Sequence, residues 1–74
     1  MINIRDKKFI NAFGEHIKEL RIKKRLSQED LANDADIPIN QIGRIERGEV
    51  NTTISTINAI AKALGIPPKE LFDF

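Results

Sequence analysis

The side chains most often recruited for chemistry are sparse in this chain. His16 is the single histidine, set between Phe13 and Ile17, and there is no cysteine. One imidazole without cysteine partners cannot complete a zinc site. No metal and no cofactor is therefore expected, and His16 reads as a structural side chain on a helix surface. Ser27 stands where a helix begins and is better explained as a cap than as a nucleophile. No nucleophile–base arrangement, glycine-rich phosphate loop or carboxylate pair in an evident cleft emerges. The pattern speaks against an enzyme, and no small-molecule ligand is expected.

What remains is charge, and its distribution is uneven. The formal net charge is only +1. Residues 1–26 nevertheless carry eight Lys/Arg against three Asp/Glu, a local excess of +5. Residues 27–36 carry Glu29, Asp30, Asp34 and Asp36 and no base, while 37–50 and 51–74 each balance. Where a polyanion could settle depends on this segregation more than on the sum. A solvated helix face explains the same pattern, so charge alone decides nothing.

These groups must be positioned by a fold, and hydrophobic spacing supplies it. Ile10, Phe13, Ile17 and Leu20 recur at three and four residues, which predicts an amphipathic helix over about 7–24. Ser27 with Asp30 three residues on is close to a capping box, with Asp in place of the usual Glu or Gln. A short helix follows with Leu31, Ala32 and Ala35 inside. It ends near 34–37, because Pro38 disfavours helical geometry in the residue before it. Pro38 suits the start of a third helix, with Ile42 and Ile45 buried and Gly48 stopping it. Thr53 caps a fourth, whose Ile54, Ile57, Ile60, Ala61 and Leu64 are expected to face inward. Gly65 ends it, and Pro67 opens a fifth helix through Leu71 and Phe72. Nothing alternates with period two, no repeat or linker appears, and no apolar run approaches the roughly 18 residues of a membrane span. MINIRDKKFI lacks the features of a secretory leader. The expectation is one all-α domain over 1–74, with five helices, working in the cytoplasm.

The runs FGEHIKELRIKKRLSQEDLA, IGRIERG and ISTINAIAKALGI, in this order, resemble the Cro/repressor-type (Xre) helix-turn-helix family across about residues 10–72. The most specific pieces are Leu26-Ser27-Gln28 with Leu31-Ala32, and Ile42 through Gly48. The resemblance implies a helix-turn-helix pair at about 28–47 and binding to double-stranded DNA, with the helix over about 38–47 in the major groove. It implies base contacts from the outward side of that helix, namely Ile39, Asn40, Gly43 and Arg44. Arg44 can donate bidentately to guanine and Asn40 can pair with adenine. Phosphate contacts, which carry no sequence information, are implied for Gln28, Gln41, Lys23, Lys24, Arg47, Asn51 and Thr52, with a base as the alternative for Gln41. For Arg21 and Glu46 the family role is a partly buried ion pair between the first and third helices. Asp36 stands where the family commonly has glycine, and Pro38 where it has a capping Ser or Thr. Gly43 lies within a helix, either to admit a close approach to DNA or as a small packing residue.

The resemblance further implies a homodimer on a palindromic operator, with Asn58, Lys62, Phe72 and Phe74 at the interface. Leu71 and Phe72 could instead close the monomer core. Small transcriptional regulators, including restriction–modification controllers and compact phage repressors, share this style of sequence. An alternative is a protein-interaction module, such as an antitoxin bound to a toxin, which the weak net charge and Asp34/Asp36 favour slightly.

Overall fold

The computed structural model describes residues 6–74. The first five residues of the expected domain 1–74, Arg5 among them, lie outside the described residues. Among the described residues four α-helices follow one another: α1 Lys7–Lys23, α2 Gln28–Ala35, α3 Ile39–Glu46 and α4 Ile54–Leu64. No strand occurs among the described residues.

The expected fifth α-helix is corrected to a 3₁₀ helix, Pro68–Phe72. Five residues are too few for two α-turns, and so short a segment closes at the tighter interval. Its bonds run instead at the shorter interval, as from the Glu70 N–H to the Pro67 carbonyl at 3.0 Å.

Local chemistry sets each helix boundary. Asp6 caps α1 by accepting from the Phe9 N–H at 3.0 Å, and Thr53 caps α4 by accepting from Thr56 at 3.2 Å. The Ser27–Asp30 capping box is complete despite the shorter acid. Ser27 Oγ accepts from the Asp30 N–H at 2.9 Å, and Asp30 Oδ2 accepts from the Ser27 N–H at 3.0 Å. At the other ends the chain turns through left-handed backbone at Arg25, Asp36, Gly48 and Gly65. After each, a backbone N–H reaches back five residues, as from Leu26 to Arg21 and from Glu49 to Arg44. These are Schellman closures, which satisfy the last carbonyls of each helix. Arg25 is the unexpected member, since only Asn, Asp and Gly adopt this geometry cheaply.

Every element contributes to one core. Phe13 and Ile17 of α1 meet Leu31 and Ala32 of α2, Ile42 and Ile45 of α3, Ile60, Ala61 and Leu64 of α4, and Leu71 of the 3₁₀ helix. Burying an Ile or Leu fully contributes about 1.5–3 kcal/mol, so this cluster is the main source of stability in a chain without disulfides. Ile54 departs from the expectation that it faces inward, for it is 85% exposed. Residues 53–55 are all exposed, so the first turn of α4 extends beyond the core. Hydrophobic spacing reports the direction of a side chain, not whether anything lies opposite it.

The C-terminal aromatic residues fold back on α1. Phe72 stacks on Phe13 with ring centroids 5.1 Å apart, and Phe74 lies 5.3 Å from Phe9 and 5.7 Å from His16. His16 Nε2 also donates to the Glu70 carbonyl at 2.8 Å. The lone histidine thus ties the 3₁₀ helix to α1.

Candidate nucleic-acid interface

The helix pair is held in register by a buried polar network. Arg21 Nε and Nη2 donate to Glu46 Oε2 and Oε1 at 2.7 and 3.0 Å. Arg21 Nη1 donates to the Leu26 carbonyl at 2.9 Å, and Gln28 Nε2 donates to Glu46 Oε1 at 3.0 Å. Both charged residues are buried. The expected structural pair is therefore present, and it joins the end of α1, the start of α2 and the end of α3. Gln28, expected at a phosphate, gives one of its two amide N–H donors to Glu46. Its position at the first turn of α2 still leaves the positive end of that helix's dipole for an anion.

The turn between α2 and α3 combines a left-handed Asp36 at φ 57° with an extended Pro38 at ψ 140°. Pro38 offers no side-chain cap, so α3 begins without a competing acceptor from its own N-cap residue. From there Ile39, Asn40 and Arg44 are exposed, and Ile39 keeps 47% of its surface in water. A shallow concavity is lined by Pro38, Asn40, Gln41, Arg44, Val50, Asn51 and Thr53. It places four of the anticipated contact residues, Asn40, Gln41, Arg44 and Asn51, on one continuous surface.

Three further expected contact residues lie outside this concavity. Gly43 is buried rather than outward. A Cβ there would come within 2.9 Å of Arg47 Nη1 and 3.7 Å of Gln28 Oε1, so the missing side chain makes room for the Arg47 guanidinium. Lys23 stands about 200° around the helix from Arg21 at 100° per residue, lining a separate hollow with His16, Glu19, Leu20 and Ile22. Thr52 lines an apolar cleft with Phe9, Ile10, Phe13, Ile57 and Phe72, a cleft that Asn51 and Val50 share. Lys24 is exposed in the turn leading to α2. Asn58 and Lys62 are exposed on α4, one and two turns beyond Ile54.

Two residues here escaped the sequence reading. Gly14 is buried where α1 meets α3, and a Cβ there would overlap the backbone of Ile45 and Glu46. A glycine inside an amphipathic pattern was the available signal. Glu49, just past the recognition helix, accepts from Arg47 Nε at 2.6 Å and stands 3.8 Å from Arg44 Nε. The Arg47 hydrogen bond, then the charges of Arg47 and Arg44, hold its carboxyl below the usual carboxylate range.

The sequence of a helix-turn-helix family matches residues 17–71. The chain belongs to the Xre-type helix-turn-helix family. Among its family relatives, control protein C.BamHI of Bacillus amyloliquefaciens is 43% identical over 63 residues, covering 84% of this chain and 78% of that protein. The immunity repressor of Bacillus phage phi105 is 40% identical over 53 residues, covering 72% of this chain and 37% of the repressor. The restriction–modification controller C.AhdI of Aeromonas hydrophila has the same helix-turn-helix fold, with a TM-score of 0.84 and 41% identity over 85% of this chain and 96% of its own. The controller C.Esp1396I, solved as a tetramer with its natural 35 base-pair operator, superposes with a TM-score of 0.84 at 29% identity, covering 92% of this chain and 90% of that chain.

Proposed function

We propose that this protein is a transcriptional regulator that binds double-stranded DNA sequence-specifically as a homodimer, with α3 in the major groove. The observation that carries the reading is the continuous surface of Asn40, Gln41, Arg44 and Asn51, formed by α3 and the loop after it, with α3 locked against α1 and α2 by the Arg21–Glu46–Gln28 network. Arginine and asparagine are the residue types that read guanine and adenine edges in the major groove. Ile39 beside them can touch a thymine methyl. Gln28 at the start of α2, with Lys24 before it and Asn51 after α3, brackets this helix with phosphate-binding groups. The similarity to controllers solved with and without operator DNA supports the same assignment.

A second copy fits on α4. Ile54, 85% exposed, Asn58 and Lys62 follow one another at four-residue intervals along its exposed side, a stripe that a two-fold partner would cover. Phe72 and Phe74, already packed on α1, would flank such an interface with their remaining exposed surface. Two-fold pairing would set the recognition helices about 34 Å apart, one turn of DNA.

The test is selection of a binding duplex from a random pool, followed by sedimentation of the protein with and without it. An enriched, near-palindromic sequence bound by two chains is the expected result. Recovery of no enriched sequence by folded protein would contradict the assignment. It would favour a protein-interaction module instead.

A further inference from the structure

We propose that Glu49 is a specificity-determining residue: by bonding Arg47 at its Nε and standing beside the Nε of Arg44, it biases Arg44 toward bases and suppresses the capture of both arginines by phosphate. This rests on the DNA-binding reading of α3 and deepens it.

The geometry begins with the turn that ends α3. Gly48 adopts φ +71°, and its N–H and that of Glu49 close back on the carbonyls of Ile45 and Arg44 at 3.0 and 2.9 Å. The turn reverses the chain and lays the Glu49 side chain alongside the last turn of the recognition helix. Gly48 is also packed against Asn11 of α1, so this reversal is fixed by the fold.

Glu49 Oε2 then accepts from Arg47 Nε at 2.6 Å, and Oε1 stands 3.8 Å from Arg44 Nε. Each guanidinium is approached at its Nε, and its Nη groups keep N–H donors for other acceptors. An end-on pair of N–H donors is what guanine O6 and N7 accept. Gly43 contributes on the other side, since the space of its missing Cβ holds Arg47 Nη1. Arg47 is therefore oriented before DNA arrives, and Arg44 stands within charge range of the same acid.

The same carboxylate works against indiscriminate binding. An arginine free to swing meets phosphate on any duplex, which raises affinity without sequence preference. A guanidinium already sharing a carboxylate gains less from a phosphate, because two anions then compete for one cation. Orientation and neutralisation both widen the gap between a chosen sequence and any other.

The experiment compares the parent, Glu49→Gln and Glu49→Ala by fluorescence anisotropy over a salt series. The probes are a duplex enriched by the parent from a random pool and a scrambled duplex of the same composition. In both variants the scrambled duplex is expected to bind several-fold tighter, with a log–log salt slope steeper by about one for each arginine released. The preference for the enriched duplex is expected to fall about tenfold, the size of a lost bidentate base contact. Glu49→Gln, which keeps an acceptor for Arg47, should lose less preference than Glu49→Ala. Glu49 is exposed, so melting temperatures should not move. Equal changes on both duplexes, or none, would overturn the proposal while leaving the DNA-binding reading intact. A parent that binds neither duplex would overturn both.

Discussion

Arg21 and Glu46, twenty-five residues apart, meet through two parallel hydrogen bonds of 2.7 and 3.0 Å in an almost fully buried site. A fork-on-carboxylate contact of this kind fixes angle as well as distance. It sets how the end of α3 sits on α1. Gln28 and the Leu26 carbonyl complete the network, and no buried side-chain polar atom among the described residues is left without a partner. Removing one member leaves the other charge buried and underpaired, which typically costs about 3–5 kcal/mol. Arg21→Ala should therefore lose that much in urea unfolding, a large share of the stability of so small a domain. If Arg21→Ala unfolded like the parent and lost only DNA affinity, Arg21 would be a contact residue instead.

Gly14 should tolerate no larger residue. Its Cβ would meet the Glu46 carbonyl oxygen at 2.7 Å, and backbone cannot step aside as a flexible side chain can. Gly14→Ala should force α1 away from α3 and lose roughly 1–3 kcal/mol. Gly65→Ala is the control. It has open space around it but a left-handed φ of +72°, so it carries only the local backbone cost of about 1–2 kcal/mol. Circular-dichroism melts of both variants measure the comparison. A Gly14→Ala protein as stable as the parent would show that the helices can separate freely.

The capping box of α2 predicts a pH effect with a definite sign. Hydrogen bonding from the Ser27 backbone, and then its side chain, lowers the Asp30 carboxyl below its ordinary value. A carboxyl with a depressed folded pKa contributes fully above its unfolded value, near 4, and that contribution is lost as pH falls through the folded value. Ser27→Ala should cost about 1 kcal/mol at neutral pH through loss of the cap. Asp30→Asn, which removes the carboxyl that the Ser27 N–H holds at 3.0 Å, should unfold with less response to acid below about pH 4. Parallel urea titrations at pH 7 and in that acid range provide the check. A variant whose acid loss matches the parent's would remove the box from the account.

The core helices were legible in the sequence because their apolar spacing is regular and their caps are conventional. Ser27, Thr53, Gly48 and Gly65 all act where their chemistry places them. The end of the chain was misread, because Pro67-Pro68 and an apolar run look alike whether the turn is α or 3₁₀. Ile54 was misread because periodicity carries no information about where the core stops. At the interface, the family pattern located α3 and the Arg21–Glu46 pair, but it treated the helix surface residue by residue. Gly43 reads as outward until Arg47 is seen lying over it. Glu49 reads as a loop acid until the Gly48 turn folds it back onto two arginines. Both depend on side-chain placement across a turn, which spacing does not encode.

Base reading by α3 is the central claim, and Arg44 is its most exposed test. The decisive measurement is anisotropy of parent and Arg44→Ala on the selected duplex, on a scrambled duplex, and on duplexes with single base changes, across salt. A dimer making about six phosphate contacts should give the parent a log–log salt slope near −5. Arg44→Ala should lose roughly 1–3 kcal/mol on the selected duplex. It should become indifferent to one guanine position in each half-site, with little change in slope. An affinity that falls equally on every duplex, with a shallower slope, would make Arg44 a phosphate contact and contradict the claim.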